Sequence, residues 1–111
     1  MTWSCGSRPL WRRPLAGGHE GRRSAFRAAV SGSVQGVGFR YYARREALSL
    51  GLRGWVRNLP DGSVELVAEG EPEALAAFRE WLEEGPPGAS VRDIDVETRA
   101  PTGHFSDFSI E

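Results

Sequence analysis

After an N-terminal stretch without a regular hydrophobic period, the apolar residues recur either at every second position or at helical spacing. Phe26, Ala28 and Val30 recur at a spacing of two, which predicts a strand with one face towards a core. A glycine-punctuated stretch follows over residues 32–38, and apolar residues then recur at helical spacing over residues 39–50. The domain is therefore predicted to open with a strand, a glycine loop and a helix.

A hairpin is predicted from the next two segments. Residues 52–58 are predicted to form a strand, and within residues 64–69 Val64, Leu66 and Ala68 alternate with a second set made up of two glutamates and a valine. Pro60, Asp61 and Gly62 lie between them: proline presets φ, aspartate bonds back to the backbone, and glycine permits a positive φ. The two runs are therefore predicted to pair as antiparallel strands.

A second helix and two further strands complete the pattern. The helix is predicted to begin at Pro72 and to end before Gly85. Residues 94–96 predict a fourth strand and residues 108–110 a short fifth. The order β-α-β-β-α-β with a short fifth strand is typical of ferredoxin-like α/β (α+β) sandwiches with a split βαβ plan, in which a mostly antiparallel sheet carries two helices on one face.

This order predicts that two distant segments meet. The first two strands are joined through a helix and run parallel, and the third strand can insert between them. Both parallel strands then end at the same edge of the sheet. The loop over residues 32–38 and Asn58 are therefore expected to be neighbours in space.

The first 24 residues differ in composition from the rest. They carry five arginines, one acid, four glycines and two prolines. Such a segment cannot bury enough apolar surface to offset its ordering entropy, so we predict a flexible extension over residues 1–24 and one domain over residues 25–111. A dispensable leader, an upstream start codon and an organelle transit peptide are the alternatives for the extension. It lacks the apolar run of about 7–15 residues of a secretory signal, and a cytoplasmic location is expected.

Composition excludes several function classes. All 14 basic residues are arginine, which excludes Schiff-base or Walker A lysine chemistry, and the single cysteine excludes an internal disulfide. No Cys/His cluster suggests a zinc site, and no apolar run approaches the roughly 18 residues of a membrane span. The net charge is −1, and residues 25–111 hold nine arginines against 14 acids, which is a poor basis for wrapping nucleic acid.

The glycine loop before the first helix is a candidate anion site. Gly36 and Gly38 allow the backbone to curl so that successive N–H groups point inward, next to a helix N-terminus. Arg40 lies in the first helical turn, where a cation opposes the helix dipole unless an anion is bound. A surface arginine after an ordinary flexible turn is the alternative, because glycine-rich loops are common.

Asn58 is the second candidate. Its amide can accept a hydrogen bond from a water molecule and donate one to an oxyanion, which suits holding a nucleophilic water beside a bound phosphate. Asparagine directly before a turn also often caps its own backbone, and both roles stay open on the pattern alone.

Two motifs resemble the signatures of the acylphosphatases: GSVQGVGFR over residues 32–40 and GLRGWVRNLPDG over residues 51–62. The resemblance covers residues 25–111 and implies hydrolysis of carboxylic–phosphoric mixed anhydrides without a metal or cofactor. It implies a catalytic role for Arg40 and for Asn58, the latter as the residue that orients the water. It also implies a phosphate-binding loop formed by Gln35, Gly36, Val37, Gly38, Phe39 and Arg40.

The same resemblance implies the partners. We expect a small-molecule acyl phosphate as substrate and inorganic phosphate as product and inhibitor, no nucleic acid, no membrane, and a monomer. Two other functions stay open. A non-catalytic module of this fold would keep the loop, whereas an RNA-binding sheet would need exposed aromatics on its central strands, where Glu65 and Glu69 lie instead. Tyr41 and Tyr42 are expected at the edge of the site, with one of them facing the core.

Overall fold

The structure is a computed structural model that describes residues 23–111, so the extension predicted over residues 1–24 lies almost entirely outside the described residues. Seven elements follow one another in the predicted order. They are β1 (Ser24–Ser33), α1 (Phe39–Ser49), β2 (Arg53–Asn58), β3 (Val64–Gly70), α2 (Pro72–Glu84), β4 (Ser90–Arg99) and β5 (Phe108–Ile110).

The five strands form one sheet in the order β4-β1-β3-β2-β5. β3 lies between β1 and β2 and is antiparallel to both, which makes β1 and β2 parallel to each other, as predicted. β5 runs parallel to β2 and pairs Ile110 with Val56. The ferredoxin-like prediction is therefore confirmed, and β1 and β2 end at one edge of the sheet.

The fourth strand is longer than its apolar pattern predicts. It spans ten residues, whereas only residues 94–96 were expected. β4 lies at the edge of the sheet, and none of its side chains is fully buried. An edge strand is held by backbone pairing on one side only and tolerates polar residues, so hydrophobic alternation marks just part of it.

The core lies between the sheet and the two helices. Phe78 of α2 is fully buried and stacks on Phe26 of β1 at 6.4 Å between ring centroids. Its ring also meets Phe108 of β5 edge-on at 6.0 Å. Phe39, the first residue of α1, packs against Trp81 at 5.8 Å. Aromatic packing therefore fixes the start of α1 and the last strand against the same core.

Gly54 of β2 shows how closely the strands approach. Its φ is +149°, and a Cβ added there would lie 1.9 Å from the carbonyl oxygen of Val67 on β3. No side chain fits in that space. The glycine of the second motif is thus required by the pairing of β2 with β3.

The other face of the sheet carries a buried carboxylate on its central strand. Arg27 of β1 and Arg57 of β2 donate to the two carboxylate oxygens of Glu65, at 2.5 Å and 2.9 Å from their Nε atoms. Burial would raise the pKa of the Glu65 carboxyl, but the hydrogen bonds from the two arginines outweigh it and hold the pKa below its ordinary value. Every residue of β3 is buried and none is aromatic, so the central strand has no stacking platform for RNA bases.

A second carboxylate on β3 anchors the segment before β5. Glu69 accepts hydrogen bonds from the backbone N–H of Thr102 at 2.8 Å and of Gly103 at 3.0 Å. Burial would raise the pKa of the Glu69 carboxyl, but the hydrogen bonds from these donors outweigh burial and hold the pKa below its ordinary value. Within residues 23–111, no helix is long and apolar enough to cross a bilayer.

Candidate functional site

A cavity of about 200 Å³ opens at the sheet edge where β1 and β2 end and α1 begins. Ligand pockets for drug-sized molecules measure about 300–1,000 Å³, so this volume suits a smaller ligand. The cavity is lined by Val34, Gly36, Gly38, Phe39, Arg40, Tyr41, Asn58 and Ile110. The fold therefore brings the two predicted catalytic residues, separated by 17 intervening positions, into one site.

The backbone of the loop has the conformation that an anion cradle requires. Gly36 and Gly38 have φ angles of +81° and +76°, in the left-handed region that glycine adopts without strain. Gly38 is the N-cap of α1, which has neither a side-chain cap nor an acidic residue in its first turn. The first N–H groups of the helix are therefore left to a ligand or to solvent, and together with the helix dipole they favour an anion.

Arg40 supplies the positive charge of the cavity. One of its Nη atoms donates to the main-chain oxygen of Glu111 at 3.0 Å, and no described acidic side chain forms a salt bridge with it. Arg27 and Arg57, by contrast, both form salt bridges with Glu65. A guanidinium that is held on one side and carries unsatisfied N–H groups on the other can bind a phosphate through two hydrogen bonds.

Asn58 lies at the end of β2, exposed and on the wall of the same cavity. Its side chain makes no hydrogen bond with any residue in the described part of the chain. The backbone cap considered as an alternative is therefore not formed. Both the donor and the acceptor of its amide remain available to a ligand or a water molecule.

The turn after Asn58 is braced from two sides. Asp61 accepts hydrogen bonds from the backbone N–H of Ser63 at 2.9 Å and from its hydroxyl, and these bonds lower the pKa of the Asp61 carboxyl. On the other side, the Gln35 amide donates to the carbonyl oxygens of Leu59 and Ser63, at 2.8 Å each. The Gln35 side chain thus ties the glycine loop to the segment that carries Asn58.

The six residues predicted for the phosphate-binding loop divide into two groups. Gly36, Gly38, Phe39 and Arg40 line the cavity. Gln35 and Val37 are not among its lining residues: the Gln35 side chain reaches the next turn, and Val37 packs against the hydrophobic core.

The side chains around the cavity differ in two ways from what the hydrophobic pattern predicts. Tyr41 and Tyr42 are both exposed, at 57% and 36%, and their rings meet edge-on at 5.3 Å, so the expectation that one faces the core is wrong. Ile110, which the pattern marks only as a strand residue, lines the cavity. Its position follows from the pairing of β5 with β2, which the hydrophobic pattern does not specify.

The chemistry of the lining is that of an anion site. Arg40 is the one charged residue among the described residues that line the cavity, and none of those residues has an acidic side chain. Within residues 23–111, no three histidine, cysteine, aspartate or glutamate side chains gather where they could hold a metal ion. Free backbone N–H groups, a guanidinium and a neutral amide together can bind a phosphoryl group and place a water molecule beside it.

Comparison with known proteins gives a consistent result. The family model described as acylphosphatase matches residues 26–110. An acylphosphatase from Methylococcus capsulatus is 54% identical over 81 residues, which are 73% of this chain and 88% of that protein. One from Acaryochloris marina is 52% identical over 84 residues, or 76% of this chain and 89% of that protein. The solved structure of an acylphosphatase from Coxiella burnetii has a TM-score of 0.79 and 43% sequence identity, covering 84% of this chain and 97% of that chain.

Proposed function

The chain belongs to the acylphosphatase family and is a hydrolase of acid anhydrides, and we propose that it hydrolyses acyl phosphates in the cavity lined by Gly36, Gly38, Arg40 and Asn58. The observation that carries this proposal is the pairing, in one small cavity, of an arginine that no described acidic side chain neutralises with an uncapped helix N-terminus. Such a pairing would cost free energy in an empty surface site, because the cation opposes the helix dipole. A bound phosphoryl group satisfies both.

In the proposed complex the phosphoryl oxygens accept hydrogen bonds from the loop N–H groups near Gly36 and Gly38 and from the guanidinium of Arg40. The hydrogen bond from Arg40 to Glu111 holds the guanidinium in place before the substrate arrives. Donors that are already oriented need no reorganisation when charge builds up on the phosphoryl oxygens in the transition state.

Asn58 would hold the attacking water. Its amide oxygen accepts a hydrogen bond from the water, and the water oxygen attacks phosphorus opposite the acyl oxygen. The new P–O bond forms as the bond to the acyl oxygen breaks, the carboxylate leaves, and the proton of the water passes to solvent or to the products. Because a carboxylate is already a good leaving group, positioning and charge stabilisation are sufficient, and the proposed reaction uses no metal or cofactor.

The decisive experiment is hydrolysis of benzoyl phosphate by the purified chain in the presence of EDTA. We expect turnover in the wild type and a loss of kcat/KM of about 100- to 1,000-fold in Arg40→Gln, corresponding to the removal of one preorganised donor group. Arg45→Gln is the matched control, because Arg45 is an exposed arginine of the same helix that does not line the cavity. Wild-type kcat/KM in Arg40→Gln would remove Arg40 from the mechanism.

Asn58→Ala separates water positioning from phosphate binding. We expect kcat to fall while the inhibition constant of inorganic phosphate stays close to that of the wild type, since the loop and Arg40 are unchanged. A parallel rise of the inhibition constant would make Asn58 a binding residue instead. A well-folded wild type without turnover would favour a binding module that retains the cradle.

The proposal extends to the setting of the enzyme. We propose a monomeric cytoplasmic enzyme whose small-molecule substrate is an acyl phosphate and whose product, inorganic phosphate, competes for the same cradle. Size-exclusion chromatography with light scattering and competitive inhibition by phosphate are the corresponding measurements.

A further inference from the structure

The cavity has two chemically different walls. Gly36, Gly38, Arg40 and Asn58 form the polar wall assigned above to the phosphoryl group and the water. Tyr41 and Ile110 also line the cavity and are exposed to solvent, and their side chains are apolar over most of their surface. We refer to these two side chains as the acyl rim.

The acyl rim leaves apolar surface in water. Four large hydrophobic residues of the described chain are exposed, and two of them, Tyr41 at 57% and Ile110 at 42%, line this one small cavity. Covering such surface with an apolar ligand is favourable, by about 25 cal/mol for each Å² removed from water. Two exposed apolar side chains that line the same cavity as Arg40 thus offer binding energy to a ligand that is apolar at one end and anionic at the other.

The rim is held in place before a ligand binds. The Tyr41 ring packs edge-on against Tyr42 at 5.3 Å. The backbone of Ile110 is fixed by strand pairing with Val56, and the next residue, Glu111, donates its N–H to the Val56 carbonyl at 2.8 Å. A rim whose backbone is already in place binds a ligand at a lower entropic cost.

Both rim residues are adjacent in sequence to groups that hold the phosphoryl end. Tyr41 directly follows Arg40, and Ile110 precedes Glu111, whose main-chain oxygen accepts the hydrogen bond from Arg40. In an acyl phosphate, one bridging oxygen joins the phosphorus to the acyl carbon. A phosphoryl group bound by Arg40 therefore leaves the acyl group within reach of the rim.

The charge of the cavity limits which acyl groups fit. Arg40 is the one charged residue among the described lining residues, and it is assigned to the phosphoryl oxygens. Arg44, one turn further along α1, donates to the Phe108 carbonyl and pairs with Asp107. A second anionic group on the substrate would lose water at an apolar rim and gain no cation in return.

We propose, on the basis of the acyl phosphate hydrolysis put forward above, that Tyr41 and Ile110 bind the acyl group and that the preferred substrates carry an apolar, uncharged acyl group, aromatic ones above all. Tyr41 and Ile110 are then specificity-determining residues, and the apolar acyl phosphates are the substrate class.

The test compares three substrates: benzoyl phosphate, acetyl phosphate and succinyl phosphate, whose acyl group carries a second carboxylate. In the wild type we expect kcat/KM to fall in that order. Tyr41→Ala and Ile110→Ala are each expected to lower the benzoyl-to-acetyl ratio of kcat/KM by about three- to tenfold, mainly through the KM for benzoyl phosphate. Tyr41→Phe keeps the ring and the ratio.

Leu48→Ala is the matched control, because Leu48 is an exposed hydrophobic residue of the same helix outside the cavity. It is expected to leave the ratio unchanged, and circular dichroism establishes that each variant is folded. Equal kcat/KM for all three substrates, or an unchanged ratio in both alanine variants, overturns the acyl rim while acyl phosphate hydrolysis stands. A loss of equal size for both substrates together with weaker phosphate inhibition also overturns it, since the rim would then only shape the cradle. No turnover of any of the three overturns the proposed function itself.

Discussion

Replacing Gln35 by methionine tests whether its side chain holds Asn58 in place. Methionine has nearly the same length and volume but no amide, so the two hydrogen bonds to the carbonyls of Leu59 and Ser63 are lost without a large cavity. The perturbation is therefore confined to the link between the glycine loop and the turn after β2.

The size of the effect on stability follows from the remaining partners of the two carbonyls. The Leu59 carbonyl also accepts from the N–H of Gly62 at 3.1 Å, and the Ser63 carbonyl from the N–H of Leu59 at 2.8 Å. Neither oxygen is left without a donor, so the loss stays near the low end for two hydrogen bonds, about 1–2 kcal/mol of the free energy of unfolding. For a domain of this size each kcal/mol shifts Tm by about 4–8 °C.

The kinetic effect is expected to fall on kcat. Asn58 directly precedes the braced turn, and a displacement of a positioning group by a fraction of an ångström weakens its hold on the water, which we expect to lower kcat about tenfold. The inhibition constant of inorganic phosphate should change less than threefold, because Arg40 and the loop glycines keep their own contacts. Benzoyl phosphate kinetics, phosphate inhibition and thermal unfolding measure these three quantities.

Gln35→Glu provides a second, pH-dependent measurement. An ionised carboxylate only accepts hydrogen bonds, so at neutral pH it faces two carbonyl oxygens without a donor and should lower Tm further than methionine does. Protonation restores one donor, and the Tm difference from wild type should shrink as the pH falls. An unchanged Tm in Gln35→Met, or a phosphate inhibition constant that rises as much as kcat falls, would refute this reasoning.

Three further predictions concern stability. The pKa values of the Glu65 and Glu69 carboxyls lie below their ordinary values in the folded chain, so their contribution is present above about pH 4.3 and lost as the pH falls through the folded pKa values. In urea titrations, Glu65→Gln should therefore lower the free energy of unfolding at neutral pH and make it fall less steeply as the pH is lowered below about 4.3. A decrease at acid pH as steep as that of the wild type would contradict this. Gly54→Ala should lower the free energy of unfolding by about 3 kcal/mol, because the added Cβ clashes with the backbone of β3. Gly62→Ala, where a Cβ meets open space, should lower it by about 1 kcal/mol. Equal losses in the two variants would exclude the clash. Removal of residues 1–22 should leave Tm and benzoyl phosphate hydrolysis unchanged, because every described strand lies after it, and a lower Tm would show that the segment packs on the domain.

Most of the fold, and the meeting of Arg40 and Asn58 in one cavity, follow from the amino-acid sequence alone. Alternation and helical spacing identify the elements, because each element must turn one apolar face to the core. The crossover rule then places the loop before Arg40 beside Asn58 without any knowledge of side-chain contacts. The glycines at 36 and 38 have the positive φ angles that their place before a helix suggests.

The remaining features required the tertiary structure, and the reason is the same in each case. A hydrophobic pattern reports which face of an element is covered, and it does not report which neighbour covers it. The length of β4 was missed because an edge strand is held by backbone hydrogen bonds. The positions of Ile110 and of the Glu111 main-chain oxygen depend on the parallel pairing of β5 with β2, which no local pattern encodes.

Side-chain directions within the site were decided in the same way. Gln35 belongs to the loop motif, but its amide turns to the Leu59 and Ser63 carbonyls because the folded sheet brings that turn within 2.8 Å. Tyr41 and Tyr42 are both exposed because Phe39 and Ala43 already occupy the buried side of the first helical turns. The sequence by itself determined the elements, their order and the charged and amide groups at the sheet edge. The packing of distant strands decided which backbone and apolar groups surround them, because those contacts depend on long-range pairing that local periodicity does not record.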